Sequence, residues 1–143
     1  MIAVDTNLLV YAHRDDSPWH AAAAARLCEL AEGRAAWGIP WPCLHEFLAV
    51  VTHPRIYAPP STAEQAANQV DAWLESPTLN LLHESADHWA RLRPLLRRAR
   101  TSGPRVHDAR IAALCLAHGV RELWTADRDF TAFPDLRTRN PLV

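Results

Sequence analysis

Short apolar runs alternate along this chain with longer stretches of helical periodicity, and proline, glycine or a capping residue marks most of the junctions. Ile2 to Val4 is apolar throughout and stops at Asp5, which predicts a short buried strand. Asn7 to His13 carries Leu8, Leu9 and Tyr11 and predicts a short helix leading away from it. Ser17-Pro18 reads as an N-cap with proline at the first helical position, opening a helix to about Glu32 that Gly33 stops. Ala35 to Ile39 predicts a second strand. Pro42 then opens a third helix, which runs through Leu44, Phe47, Leu48 and Val51 and ends before Pro54.

In the second half, Ser61-Thr62-Ala63-Glu64 forms a capping box ahead of a helix to about Glu75, closed by Pro77. Leu79 to Leu82 predicts a third strand, and Ser85 caps a helix to about Arg100 that Pro94 should kink or split. Gly103-Pro104 breaks the chain before a helix from about His107 to His118, stopped by Gly119. Leu123-Trp124 and Leu136 to Arg139 predict a fourth strand and a fifth at an edge. Strands alternating with helices imply an α/β fold of three layers, a short central parallel sheet of four to five strands flanked by helices. With 143 residues there is too little chain for two cores, so residues 1–143 are expected to form one domain with Pro54 to Pro60 as an internal loop.

Composition narrows the chemistry. All fifteen basic residues are arginine; without lysine, neither a P-loop phosphate site nor a Schiff base can be built. The four glycines form no dinucleotide cradle and no nucleophile elbow. Cys28, Cys43 and Cys115 each sit in an apolar run and read as small core hydrophobes rather than a disulfide framework. His45 and His53 lie eight residues apart, a spacing that does not place two zinc ligands on one helix face. No apolar run approaches a membrane span and no leader pattern opens the chain, so the expected location is the cytoplasm.

Four carboxylates map to the rim where a parallel sheet binds ligands, beyond the carboxyl ends of its strands. Asp5 directly follows the first strand, and Asp127 lies just past the strand ending at Trp124. Glu46 is about one turn into the helix after the second strand and leans back toward that helix's start. Asp108 occupies the first turn of its helix. Each has an ordinary structural reading as a cap, dipole partner or solvated turn; the weight lies in all four falling on one edge. Acids gathered in one pocket repel one another unless a cation neutralises them. An all-oxygen set suits Mg²⁺ or Mn²⁺ better than zinc, and such a site serves phosphodiester hydrolysis.

Val4-Asp5-Thr6-Asn7, Pro42-Cys43-Leu44-His45-Glu46-Phe47, His107-Asp108-Ala109-Arg110-Ile111-Ala112-Ala113 and Thr125-Ala126-Asp127-Arg128-Asp129-Phe130 together resemble the PIN-domain nucleases, most of all the VapC-type toxins of bacterial toxin–antitoxin pairs. The likeness spans essentially the whole chain in order and spacing. It implies a PIN-like fold and a Mg²⁺- or Mn²⁺-dependent endoribonuclease with Asp5, Glu46, Asp108 and Asp127 as metal-binding catalytic acids. It further implies Asn7 and Thr125 as residues orienting the carboxylates, Asp129 as an accessory acid, a homodimer, and a small antitoxin protein whose C-terminal segment occupies the groove. His107 departs from the pattern and reads as a helix cap, with substrate contact as the alternative.

Net charge is −1, unlike a general polyanion binder, but setting the four acids aside leaves a net positive remainder. Arg91, Arg93, Arg97, Arg98, Arg100 and Arg105 cluster ahead of Asp108, and Arg98, Arg100, Arg105 and Trp41 are the candidate RNA contacts. The plain reading of that cluster is a solvated helix face, and of the six tryptophans a place in the core or an interface. A housekeeping RNA-processing nuclease and a non-catalytic binding module are the rival functions. An aspartyl-phosphate enzyme and a receiver-like module also place an aspartate after the first strand, but both recruit a lysine that this chain lacks.

Overall fold

The first apolar run becomes the middle of the sheet, because its residues are covered on both faces by helices from the rest of the chain. The computed structural model describes residues 1–143. Strands β1 (Ile2–Val4), β2 (Trp37–Pro40), β3 (Leu79–Leu82), β4 (Glu122–Trp124) and β5 (Thr138–Arg139) form one parallel sheet in the order β3-β2-β1-β4-β5. Six helices flank it: α1 (Thr6–His13), α2 (His20–Glu32), α3 (Trp41–Val51), α4 (Ala63–Leu74), α5 (His88–Arg98) and α6 (Arg105–Ala117). A 3₁₀ turn, Arg128–Ala132, joins β4 to β5. Five parallel strands flanked by helices are what the alternating pattern predicts.

The chain moves outward from β1 through β2 to β3, then returns past them to β4 on the other side of β1. Right-handed crossovers therefore set α1 to α4 on one face and α5 with α6 on the other, and each group packs within itself. The order reverses between β1 and β4, which opens a crevice beyond their carboxyl ends. The core is one cluster of 28 buried residues that includes Val4, Leu8, Trp37, Phe47, Ile111 and Leu123. Gly38 of β2 permits a close approach to β3: a Cβ there would come within 3.0 Å of Leu82 Cδ2.

Several boundaries shift for identifiable reasons. The second helix begins at His20, because the Ser17 hydroxyl accepts the Trp19 amide at 3.1 Å and caps a preceding turn instead. In α4 the cap is Thr62, with Gln65 rather than Glu64 closing the capping box. Helix α5 runs unbroken through Pro94; the carbonyl that loses its partner belongs to exposed Ala90, where water can satisfy it. Helix α6 starts two residues early, at Arg105, so His107 lies inside its first turn and does not cap it. Gly119, at φ 67°, ends α6 in the left-handed conformation that glycine favours.

Cys43 and Cys115 are buried, but Cys28 is exposed. The buried stripe of α2 is Ala23 and Leu27, and Cys28 stands about 100° round the helix from Leu27. Trp37, Trp73 and Trp124 join the core, while Trp19, Trp41 and Trp89 remain partly exposed.

Candidate active site

The crevice beyond β1 and β4 collects carboxylates from four separate elements. Asp5 is the N-cap of α1, and its Oδ1 accepts the Thr6 amide at 2.7 Å. Its Oδ2 accepts the Thr125 hydroxyl at 2.7 Å and the Asn7 amide at 3.5 Å. The Cys43 thiol reaches Oδ1 at 3.5 Å from α3. Asp5 is thus buried at 5% exposure yet held in one orientation from three sides.

Thr125 directly follows β4, and its hydroxyl also accepts the Asp127 amide at 3.0 Å and the Asn7 side chain at 3.3 Å. Asn7 in turn accepts the Ala126 amide at 3.2 Å. The two polar residues expected to orient the acids therefore tie the start of α1 to the segment after β4. Glu46, one turn into α3, accepts the Thr6 hydroxyl at 3.0 Å. Asp108 sits half-buried in the first turn of α6. Asp127 caps the 3₁₀ turn by accepting the Asp129 amide at 2.8 Å.

Asp5, Glu46, Asp108 and Asp127 line one cleft of about 280 Å³. Val10, Tyr11, Val50, Tyr57 and Ile111 form its apolar wall. The tightest grouping is Asp108, Asp127 and Asp129, whose carboxylate oxygens lie within 4.8 Å of one another. Asp5 and Glu46 stand beside that triad rather than in it. Past the acids the groove continues as a second space of about 640 Å³, lined by His45, Arg105, His107 and Arg110 together with Glu46, Asp108, Asp127 and Asp129.

The charge in the cleft is left largely uncompensated. Among the ion pairs, only Arg105 to Asp129, at 2.8 Å, touches the group. Burial, reinforced by the charges of Asp127, Asp5, Asp129 and Glu46, pushes the Asp108 carboxyl up to about 6. Burial also raises Asp5; the hydrogen bonds from Thr125, Thr6 and Cys43 partly offset it, and the Glu46 charge adds to the rise. A set of oriented carboxylates with a single arginine at its edge, and with no imidazole or thiolate in its tightest triad, has the donor chemistry of a hard divalent ion. The residues present fit Mg²⁺ or Mn²⁺.

Of the four candidate RNA contacts, Arg105 alone lines the acidic groove. Trp41 lines a smaller recess that shares Pro42 and Arg110 with it. Arg98 pairs with Asp135 away from the cleft, and Arg100, with φ 48°, ends α5 outside both spaces. Sequence reasoning passed over Thr6, Tyr57 and Arg110. Thr6 follows Asp5 in the polar Asp-Thr-Asn triplet, the one local signal available for it. Tyr57 reaches the cleft because Arg14 lies 4.2 Å over its ring and holds the loop through Pro59 and Ser61.

The family model described as "PIN domain" matches residues 2–136. Ribonuclease VapC43 of Mycobacterium tuberculosis is 37% identical over 142 residues, covering 99% of this chain and 96% of that protein. Ribonuclease VapC48 of the same organism is 30% identical over 137 residues, covering 96% and 94%. Among solved structures, the chain superposes on VapC20 of M. tuberculosis, a sarcin–ricin loop cleaving toxin, with a TM-score of 0.68 at 19% identity, covering 92% of this chain and 94% of that one. It also superposes on VapBC2 of Rickettsia felis, bound to a DNA fragment from its promoter, with a TM-score of 0.67 at 22% identity, covering 97% and 98%. At those identities the superpositions speak for the fold.

Proposed function

This chain belongs to the PIN-domain family, and on that footing we propose that it is an endoribonuclease of the VapC toxin kind, hydrolysing RNA phosphodiester bonds with Mg²⁺ or Mn²⁺. One observation carries the reading: Asp5, Glu46, Asp108 and Asp127 arrive from four elements at one cleft and find almost no positive partner there. Asp5, Glu46, Asp108 and Asp127 would hold the ion, with Asp129 as an accessory acid grouped with Asp108 and Asp127. When bound, the ion makes water acidic enough to attack phosphorus and offsets charge on the phosphoryl and leaving oxygens.

The chain's own residues do the positioning. Thr125 and Asn7 lock the Asp5 carboxylate and carry Asp127 with it. Thr6 holds Glu46 toward the cleft. Arg105 and His107 line the groove where the sugar–phosphate chain would pass and would supply donors to its oxygens. No protein side chain needs to act as a nucleophile.

The same reading makes the protein a cytoplasmic homodimer restrained by a small antitoxin whose C-terminal segment fills the groove, with residues 1–143 acting as one domain. No helix is long and apolar enough to cross a membrane. The test is incubation of the purified protein with structured RNAs in Mg²⁺ or in EDTA. Cleavage is expected in Mg²⁺ alone, lost in Asp5→Asn and Asp108→Asn although both fold; equal cleavage by the variants would refute the assignment. Expression of the wild type alone should slow growth, and co-expression of its antitoxin should restore it.

A further inference from the structure

Where the histidine and arginine arm of the groove ends, a smaller recess of about 160 Å³ begins, lined by Trp41, Pro42, His83, Glu84, Arg110 and Leu114. Pro42 and Arg110 line both spaces, so the recess borders the groove that holds the acids. Trp41 starts α3 and Glu46 lies five residues further along it, about 7.5 Å in axial rise. That is the length scale of a single nucleotide.

The walls of the recess are unlike those of a core pocket. Trp41 is 40% exposed, and of the three partly exposed tryptophans it is the one that lines a recess beside the acidic groove. It leans on the His45 ring on the next turn of the helix, with centroids 5.8 Å apart and planes at 35°, which steadies it as a platform. Opposite lies an Arg110–Glu84 pair, Nε to Oε1 at 2.8 Å. The pairing uses one edge of each partner. Oε2 of Glu84 and the terminal nitrogens of Arg110 have no protein hydrogen bond, so an acceptor and a fork of donors stand side by side at the mouth of an aromatic slot.

We infer that this recess is a base-reading subsite for a single-stranded guanine flanking the scissile phosphate, with Trp41 stacking on the base and Glu84 and Arg110 reading its edges. Proteins that read single-stranded RNA by sequence stack splayed bases on aromatic rings and hydrogen-bond their edges. Guanine matches this pair: its N1–H and exocyclic amine donate to a carboxylate, while its O6 and N7 accept from arginine. Adenine offers one amine to Glu84 and no adjacent pair of acceptors to Arg110; cytosine has the acceptors N3 and O2 beside its amine, but neither it nor uracil presents the two adjacent N–H donors that guanine gives a carboxylate. The subsite rests on the nuclease reading above, since it gives that site its preference between substrates.

The experiment measures equilibrium binding of short oligouridylates, in EDTA, with one residue replaced in turn by guanine, adenine or cytosine. Wild type, Trp41→Ala, Trp41→Phe and Glu84→Gln are compared, with cleavage of a structured RNA in Mg²⁺ followed alongside. Wild type should favour the guanine-bearing oligomer by about tenfold or more over oligouridylate, the scale of one stacked and read base. Trp41→Ala should lose that gain and Trp41→Phe keep most of it, while Glu84→Gln should lower guanine to the level of the other bases. The inference is overturned if all four proteins rank the bases alike while the RNA is still cleaved, a result that leaves the nuclease reading standing. It is also overturned if Trp41→Ala alters the elution volume of the protein but not its base ranking, which would make Trp41 an interface residue. Absence of both binding and cleavage in the wild type would remove the nuclease reading and the subsite together.

Discussion

The Thr125 hydroxyl donates to the Asp5 carboxylate at 2.7 Å across 120 residues of chain, and the same oxygen accepts the Asp127 amide at 3.0 Å. One buried hydroxyl thus sets the position of an acid on each side of the point where the strand order reverses. Groups that orient metal ligands typically change metal affinity by about 10–100-fold when removed. Thr125→Val, close in shape but without the hydroxyl, should weaken Mn²⁺ binding by a factor in that range, and Thr125→Ser should restore most of it. Calorimetric titration of the three proteins checks this. Equal affinities would show that the Thr125 bond serves only the fold.

Repulsion within the cleft should be visible as stability. The Asp108 carboxyl is pushed up to about 6 by burial and neighbouring acids. The folded state therefore holds that proton more tightly than the unfolded chain, and metal-free stability falls as pH rises from about 4 through about 6. Asp108→Asn removes this penalty. In EDTA its Tm should exceed that of the wild type at pH 7 and above, and the gap should close toward pH 4. Adding Mg²⁺ at pH 7.5 should raise the wild-type Tm and leave the variant's little changed. Thermal melts at several pH values decide it.

The arginines divide by position. Arg105 lines the groove and pairs with Asp129 at 2.8 Å, whereas Arg98 pairs with Asp135 elsewhere. Both pairs are half exposed and should each contribute about 0–1 kcal/mol to stability. Arg105→Ala should weaken RNA binding and lower the slope of log K against log salt by about 0.7, the loss of one phosphate contact on a single strand. Arg98→Ala should leave that slope unchanged. Filter binding across a salt series separates the two.

The helix that carries Glu46 is anchored by Phe47, fully buried between Trp73, at 4.9 Å, and the His13 ring, at 5.3 Å between centroids. Phe47→Ala should cost about 3–5 kcal/mol of unfolding free energy, read by urea denaturation. Glu46→Gln, one residue away on the exposed side, should cost far less.

Much of this arrangement is legible in the sequence because it is local. β1 and β3 occupy the residues their apolar runs mark, and Gly119 ends α6 as its lack of a Cβ allows. Asp5, Asp108 and Asp127 stand at element boundaries that capping and breaker residues locate. What escaped depends on packing between distant segments. Asp129 enters the tightest triad only because Asp127 caps a 3₁₀ turn that folds it back. Thr6 meets Glu46 only once α1 and α3 pack together. The outward face of Cys28 was open to helical-wheel arithmetic, since Leu27 beside it fixes the buried stripe, but the apolar run around it masked the phase. The arginine cluster before Asp108 is contiguous in sequence yet dispersed in space, because a helix end and a turn separate Arg98 from Arg105.

The central claim is that the acids at the β1–β4 crevice hold one divalent ion. Diffraction from a crystal soaked in Mn²⁺, recorded at the manganese absorption edge, tests it most directly. An anomalous peak among Asp5, Glu46, Asp108 and Asp127 that disappears in Asp108→Asn is the predicted result. A fully occupied Mn²⁺ elsewhere on the molecule, with no peak among those four carboxylates, would contradict it.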